Sequence, residues 1–267
     1  MLAKAGLPRR SFSEGGRGLM VEWHTSNVLV RVRFPAPAHM FNVEKSTNYL
    51  ELSQEAKEIL QNQTSVIEGL VDDVSRRLGE GQTARVCFLG ARDNFCLKVL
   101  KTDEELKLVR SFIPLKDEMN FLYELHGIDK NVSVPKSYFT ASTGEGGYKV
   151  MMMERMMAYT VKDILEGRGT VPEGFNMDNF FSDLMGFVEK MHDAGIHHRD
   201  LHEGNIMVHM ETGKPCVIDF GGAVRVFGEG DDPYTTIRGS EVFKLISDES
   251  MVKKTCKELR SFLTRHI

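Results

Sequence analysis

Hydrophobic spacing along the chain changes from helical to alternating and back, and the changes mark out its elements. Leu52, Ala56, Ile59 and Leu60 recur at helical spacing around Ser53, a suitable cap, with Glu55 in the first turn. Ile67, Leu70, Val71 and Val74 form a second piece, so residues 41–73 are expected to be an N-terminal helical extension packed on the domain. The pattern then switches. Residues 78–89 read as strand, glycine turn, strand, and Phe95 to Leu100 as an alternating strand with one lysine, Lys98, in an apolar setting. Residues 103–112 and 116–126 return to helical spacing, separated by Pro114 and ended near Gly127. Two further strands, over residues 135–140 and 148–153, flank a hairpin turn marked by the glycines of residues 143–147. Val161 to Leu165 begins a second half, where Phe181, Leu184, Met185, Val188 and Met191 make the buried stripe of a helix over residues 178–192, capped by Gly195. A last amphipathic helix over residues 248–266 turns Val252, Cys256, Leu259 and Leu263 inward. Its outer face is basic (Lys253, Lys254, Lys257 and Arg260) and is read as solvated.

Composition narrows the class. The chain has 267 residues, enough for one large domain or two lobes, and its 41% hydrophobic and 27% charged content is that of a soluble globular protein. A net charge of −4 argues against nucleic acid as the main partner. No apolar run approaches the roughly 18 residues needed to span a bilayer, so no membrane partner is expected either. Cys87, Cys96, Cys216 and Cys256 show neither CxxC pairing nor metal-ligand spacing. They read as buried hydrophobes in a reducing compartment, and the expected location is the cytoplasm, or a host cytosol for a viral or secreted effector. Residues 1–40 carry six basic and two acidic side chains, a net +4 that leaves −8 for the rest. They are rich in Gly, Pro, Ser and Arg, with strand character only at Val28-Leu29-Val30. A basic disordered leader is expected there, or an upstream extension of a natural start at Met40; a targeting extension is the lesser alternative.

Polar chemistry concentrates in two stretches, His197-His198-Arg199-Asp200-Leu201-His202-Glu203-Gly204-Asn205 and Val217-Ile218-Asp219-Phe220-Gly221. An acid and a carboxamide lie five residues apart on a polar loop, and a second acid follows a short apolar strand fourteen residues later. That set suits phosphoryl transfer from ATP: Asp200 orients and deprotonates a hydroxyl, while Asn205 and Asp219 hold magnesium. His192 and His198 could ligate a metal in isolation, but without a third ligand at close spacing they read as packing and hydrogen-bonding residues. The five methionines of Val150 to Met157 read as a buried strand running into a linker.

The two stretches resemble the catalytic loop and metal-binding loop of the protein-kinase superfamily, and further motifs follow in the same order over residues 74–225. Gly79-Glu80-Gly81 resembles the family's glycine loop, with Ala84 in place of its third glycine and Val86 where the loop valine covers adenine. Lys98 matches the lysine that contacts the α- and β-phosphates, Cys96 takes the alanine position beside adenine, and Glu118 matches the helix C glutamate that pairs with the lysine, Glu124 being the fallback. Met153 falls at the gatekeeper, and Glu154 and Met156 at the hinge positions that hydrogen-bond adenine; Met207 joins the nucleotide-binding set. The resemblance implies an α+β, two-lobed protein-kinase-like fold: an antiparallel-sheet N-lobe with helix C over residues 74–155, and a reduced, mainly helical C-lobe over residues 156–267. It also implies ATP and magnesium, with manganese a possible substitute, as cofactors.

Three departures bear on the acceptor. His202 stands where serine/threonine kinases usually carry a lysine, and Asp-Leu-His-x-Gly-Asn also resembles aminoglycoside phosphotransferases. No Ala-Pro-Glu follows the metal loop, and only 46 residues follow Gly221. In favour of a protein substrate, Arg199 completes His-Arg-Asp, whose arginine commonly grips a phosphorylated activation segment, and Tyr234, Thr235, Thr236 and Ser240 lie where such a segment would be. The expectation is a minimal serine/threonine protein kinase that modifies itself, with an activating partner completing its small C-lobe. A small-molecule kinase, favoured by the acidic Glu229, Asp231 and Asp232, is the second expectation, and a non-catalytic nucleotide-binding regulator the third.

Overall fold

The computed structural model describes residues 20–25, 28–33, 42–46, 48, 73–88, 94–101, 113–142, 148–226, 232–238 and 241–266. The chain divides into two units, residues 1–41 and 42–267. In the first, β1 (Met20–Thr25) and β2 (Val28–Arg33) form an antiparallel hairpin, Met20 opposite Arg33 and Thr25 opposite Val28. The stretch expected to be a disordered leader therefore carries a two-stranded ladder. Its β-forming residues stand on both arms, Val21 opposite Val32, Trp23 opposite Val30 and Thr25 opposite Val28, whereas the sequence reading credited only one arm.

The second unit begins with a six-stranded sheet, ordered β3-β7-β8-β6-β5-β4 and antiparallel throughout. Its strands are β3 (Asn42–Lys45), β4 (Arg77–Glu80), β5 (Ala84–Phe88), β6 (Phe95–Leu100), β7 (Ser137–Ser142) and β8 (Lys149–Glu154). Strand β3 lies inside the stretch expected to be a helical extension. Four polar-leaning residues carry no period of their own, and their strand state comes from the ladder with β7. Val74, expected on a helix face, sits 68% exposed in a 3-10 turn over Val74–Arg76, where the Asp73 carboxylate accepts the Ser75 backbone N–H at 3.0 Å and competes with helix formation. The other residues of that extension, the helix expected over 103–112 and the turn over 143–147 lie outside the described residues.

Strand β6 is central, flanked by β5 and β8, and every residue from Cys96 to Leu100 is buried. Helix α1 (Leu115–Leu125) packs on β7 and β8, and it buries Met119, Phe121, Leu122 and Leu125 together with Glu118. Pro114 precedes its first turn, a place where a missing N–H costs nothing and a fixed φ favours the helix.

The rest of the unit is mainly helical. After β9 (Ala158–Thr160), the short α2 (Val161–Leu165) is capped by the Thr160 hydroxyl, which accepts from the Asp163 N–H. Helix α3 (Met177–Asp193) starts at Asn176, whose side chain caps Asp178 and Asn179. Its fully buried residues are Phe180, Leu184, Phe187, Val188 and Met191; Phe181 and Met185 of the expected stripe are only half-buried. The stripe is rotated because α3 packs against both the last helix and the small sheets below the catalytic loop. Those sheets comprise β10 (Ile196–His197), β11 (Ile206–His209), β12 (Pro215–Val217) and β13 (Val224–Arg225), paired as β10-β13 and as β12-β11-β9. A hairpin of β14 (Thr235–Arg238) and β15 (Glu241–Lys244) precedes α4 (Asp248–His266), the expected last helix with the expected buried residues Val252, Cys256 and Leu259. One apolar cluster runs from Leu122 and Leu125 through Phe220 to Met191, Val252 and Leu259, so both halves share a continuous core. All four cysteines are buried and free, as expected.

Candidate active site

Lys98 is 4% exposed, on a strand that faces no bulk water, and its ammonium must find anions inside the protein. It finds two. Its Nζ donates to Glu118 Oε1 at 2.7 Å and Oε2 at 2.9 Å, and to Asp219 Oδ1 at 2.7 Å. Burial pulls the lysine pKa down, but Glu118 and Asp219 together outweigh it and hold it above its ordinary value. Burial raises the Glu118 carboxyl against the pull of Lys98. Asp219 goes the other way: the Lys98 charge lowers it to about 2. Helix α1 brings Glu118, rather than Glu124, to the lysine; Glu124 instead binds Arg225 at 2.6 Å. The N–H of Ile113, just ahead of α1, donates to the Gly221 carbonyl at 3.1 Å, fastening the helix to the loop that carries Asp219.

Two described residues other than glycine have positive φ, Arg199 (70°) and Asp219 (62°). Both belong to the polar stretches singled out in the sequence, and such strain persists only where the surroundings impose it. At Arg199 the imposing group is Asp248. Its fully buried carboxylate accepts the backbone N–H of His198 at 2.8 Å and of Arg199 at 2.7 Å, from the first turn of α4. Sequence reasoning passed over Asp248 as an ordinary helix start, since its partners lie about fifty positions upstream and no local spacing points to them. His198 is buried against the Phe220 ring at 4.5 Å and its Nε2 binds the Ile218 carbonyl at 3.0 Å, the packing and hydrogen-bonding role expected of it.

Beyond Arg199 the loop presents Asp200, whose side chain is 56% exposed. The surrounding protein still desolvates its carboxyl enough to raise its pKa, against the pull of His202 and His198. Asn205 Nδ2 donates to the Asp200 carbonyl at 2.9 Å and approaches Oδ2 at 3.3 Å, so its amide nitrogen is committed and Oδ1 makes no hydrogen bond among the described residues. The N–H of Gly204 donates to His202 Nδ1 at 2.9 Å. A neutral His202 therefore carries its proton on Nε2, which lies 3.7 Å from Asp200 Oδ2. A Cβ on Gly204 would sit 2.7 Å from the His202 ring, so only glycine fits there without displacing that ring.

The glycine loop runs from β4 into β5, closed by Gly81 N–H to the Ala84 carbonyl at 2.9 Å. Neither Gly79 nor Gly81 has positive φ, and a Cβ on Gly79 would meet nothing within 4 Å. The fold itself does not require these glycines. Across the sheet, Val86 stands opposite Lys98 and Cys96 opposite Met153. Glu154 is held by its N–H to the Lys136 carbonyl at 2.8 Å, and the Cys96 thiol lies 3.6 Å from its carbonyl oxygen. The Met156 N–H makes no backbone hydrogen bond among the described residues. Met207 lies on β11 opposite Thr160 and Cys216, half-buried.

The donors offered by Asn205 Oδ1 and an ionised Asp219 are hard oxygens, which fit magnesium. Tyr234 and Thr235, expected where an activation segment would lie, are partly tied down: the Tyr234 hydroxyl accepts the Asp248 N–H at 3.1 Å and Thr235 donates to Asp232 at 2.6 Å. Ser240, Glu229 and Asp231 lie outside the described residues. No described helix is long and apolar enough to cross a membrane. A family model described as protein kinase domain matches residues 73–253, more than half of the chain.

Proposed function

Because this chain belongs to the protein kinase domain family, we propose that it is a magnesium- and ATP-dependent kinase acting on serine and threonine hydroxyls of proteins, itself included. The observation that carries this reading is the buried Lys98 held between Glu118 and Asp219, beside an Asp200 left open to solvent. Lys98, fixed in place by Glu118, orients the α- and β-phosphates of the nucleotide. Asn205 and Asp219 would hold magnesium, which supplies neutralisation of phosphate charge when bound. Asp200 accepts the proton of the attacking hydroxyl, and the raised pKa of its carboxyl makes it a better base at neutral pH than an ordinary aspartate. Asp248 holds the strained turn at Arg199 that presents Asp200. His202 replaces the usual lysine and directs its Nε2–H to the same side as the Asp200 carboxylate.

Gly79 and Gly81 leave room for close approach of phosphate oxygens to backbone N–H groups, a requirement that the fold alone does not impose. Val86, Cys96, Met153 and Met207 line the adenine site, and the Glu154 carbonyl and Met156 N–H are its hydrogen-bonding groups. Of the acidic cluster that motivates a small-molecule acceptor, the described member, Asp232, is engaged with the Tyr234 N–H at 2.9 Å and with Thr235. That favours the protein acceptor. Purified chain incubated with magnesium and labelled ATP, beside Asp200→Asn and Lys98→Met controls, tests the proposal. Label on the wild type alone, mapped by mass spectrometry to serine or threonine, is expected. Hydrolysis or transfer only in the presence of an aminoglycoside or choline-like acceptor overturns the protein substrate, and absence of ATP binding overturns the mechanism.

A further inference from the structure

Helix α1 carries an acid near each end. Glu118 lies in its first turn and meets Lys98, whereas Glu124 lies in its last turn, where the helix dipole favours a cation. The helix by itself gains nothing from Glu124. What the carboxylate gains is Arg225, whose Nη2 donates to Glu124 Oε2 at 2.6 Å.

Arg225 makes two further contacts. Its Nη1 donates to the Ala194 carbonyl at 3.2 Å, at the C-terminal end of α3, which also favours a cation. Its guanidinium lies over the Phe121 ring of α1, 5.4 Å from the centroid. The backbone beneath it is fixed as well: Arg225 stands opposite Ile196 in the β10–β13 ladder, and the Val226 N–H donates to the Gly195 carbonyl at 2.8 Å. Strand β10 runs directly into the loop that presents Asp200. One planar side chain thus serves a carboxylate, a carbonyl and an aromatic face, a set that a lysine does not reproduce.

Placement gives these contacts their meaning. The front of α1 is tied to the loop carrying Asp219 by the hydrogen bond from Ile113 to Gly221. A helix tied at one end can pivot about that tie and swing Glu118 away from Lys98. Arg225 grips the other end of this 11-residue helix, which is roughly 16 Å long, and two ties so far apart stop the pivot. We propose that Arg225 is a positioning residue for phosphoryl transfer. Through Glu124 and Phe121 it holds α1 where Glu118 fixes Lys98, and it sets that helix against the strand leading to Asp200. The inference rests on the kinase reading above.

The test compares two measurements on the full chain: hydrogen exchange over residues 115–125 without nucleotide, and kcat and KM for ATP. Arg225→Ala removes an ion pair, a cation–π contact and a hydrogen bond, and is expected to speed exchange of the α1 amides roughly 10-fold. Its kcat is expected to fall at least about 3-fold while KM for ATP changes by less than about 2-fold. The Glu124 side chain is 45% exposed, so Glu124→Gln covers the case in which the first variant does not fold. It is expected to speed α1 exchange roughly 3-fold, and to add little to Arg225→Ala because the two residues act as a unit. Unchanged α1 exchange in these variants, equal acceleration in α1 and α4, or an unaltered kcat where α1 exchanges faster overturns the positioning role. A wild type that transfers no phosphate refutes the kinase reading instead, and the exchange comparison still decides whether Arg225 holds α1.

Discussion

Lys98 answers to two carboxylates at once, and removing it strands both. Glu118 is 2% exposed, so Lys98→Met leaves a buried acid without its partner, which costs on the order of 3 kcal/mol. Denaturant unfolding of Lys98→Met should show that loss, and Lys98→Met/Glu118→Leu should recover most of it while remaining inactive. Acid separates the two roles of aspartate. Asp219 has a lowered pKa, so its contribution to stability is present above the unfolded value of about 4 and is lost only as pH falls toward about 2. Asp200 has a raised pKa, so the ionised base disappears first. Acidification is therefore expected to lower turnover at a pH where circular dichroism stays native; coincident loss of both would contradict the assignment. At this scale the sequence was legible wherever chemistry is local. Asp200, Asn205 and Asp219 sit at spacings that a single loop and strand impose, and Lys98 stands out as a cation amid apolar neighbours. Asp248 was not legible. Its meaning depends on α4 folding back under a loop some fifty residues upstream.

Elements set what a given glycine is for. Gly195 ends α3 with φ +73°, and a Cβ there would lie 2.7 Å from the Val226 carbonyl. Gly79 is spared both constraints. Gly195→Ala should lower stability by about 1–3 kcal/mol through backbone strain, whereas Gly79→Ala should leave Tm unchanged and raise the KM for ATP. Equal effects on Tm would mean that the glycine loop is shaped by the fold rather than by its ligand. Periodicity located α1, α3 and α4 to within a residue or two, because each buries a stripe that recurs every turn. It could not locate β3 or the β14–β15 hairpin, whose residues have no strong period and owe their strand state to a partner. Even the stripe of α3 was rotated, since sequence cannot show that a helix packs on two neighbours at once.

For the molecule as a whole, a continuous apolar cluster joins the halves through Phe220, and the Ile113–Gly221 hydrogen bond fastens α1 to the metal-binding loop. The two-lobed plan was legible from the order of the motifs; the sheet's sixth strand was not. Strand β3 lies ahead of the region matched to the kinase family, yet its ladder covers the outer edge of β7, and Ser46 adds hydrogen bonds to Tyr138 and Ser137 at 2.9 and 2.6 Å. Strand β7 is buried from Ser137 to Ala141 and is rich in β-forming side chains. A chain beginning at residue 73 and keeping α4 to its end would present that edge bare, a template on which a second copy can add strand to strand. Its colloidal behaviour, rather than its chemistry, should change first. Light scattering is expected to show concentration-dependent self-association of the trimmed chain and none from a chain beginning at residue 42, so four residues outside the kinase match act as the guard that keeps the sheet from polymerising.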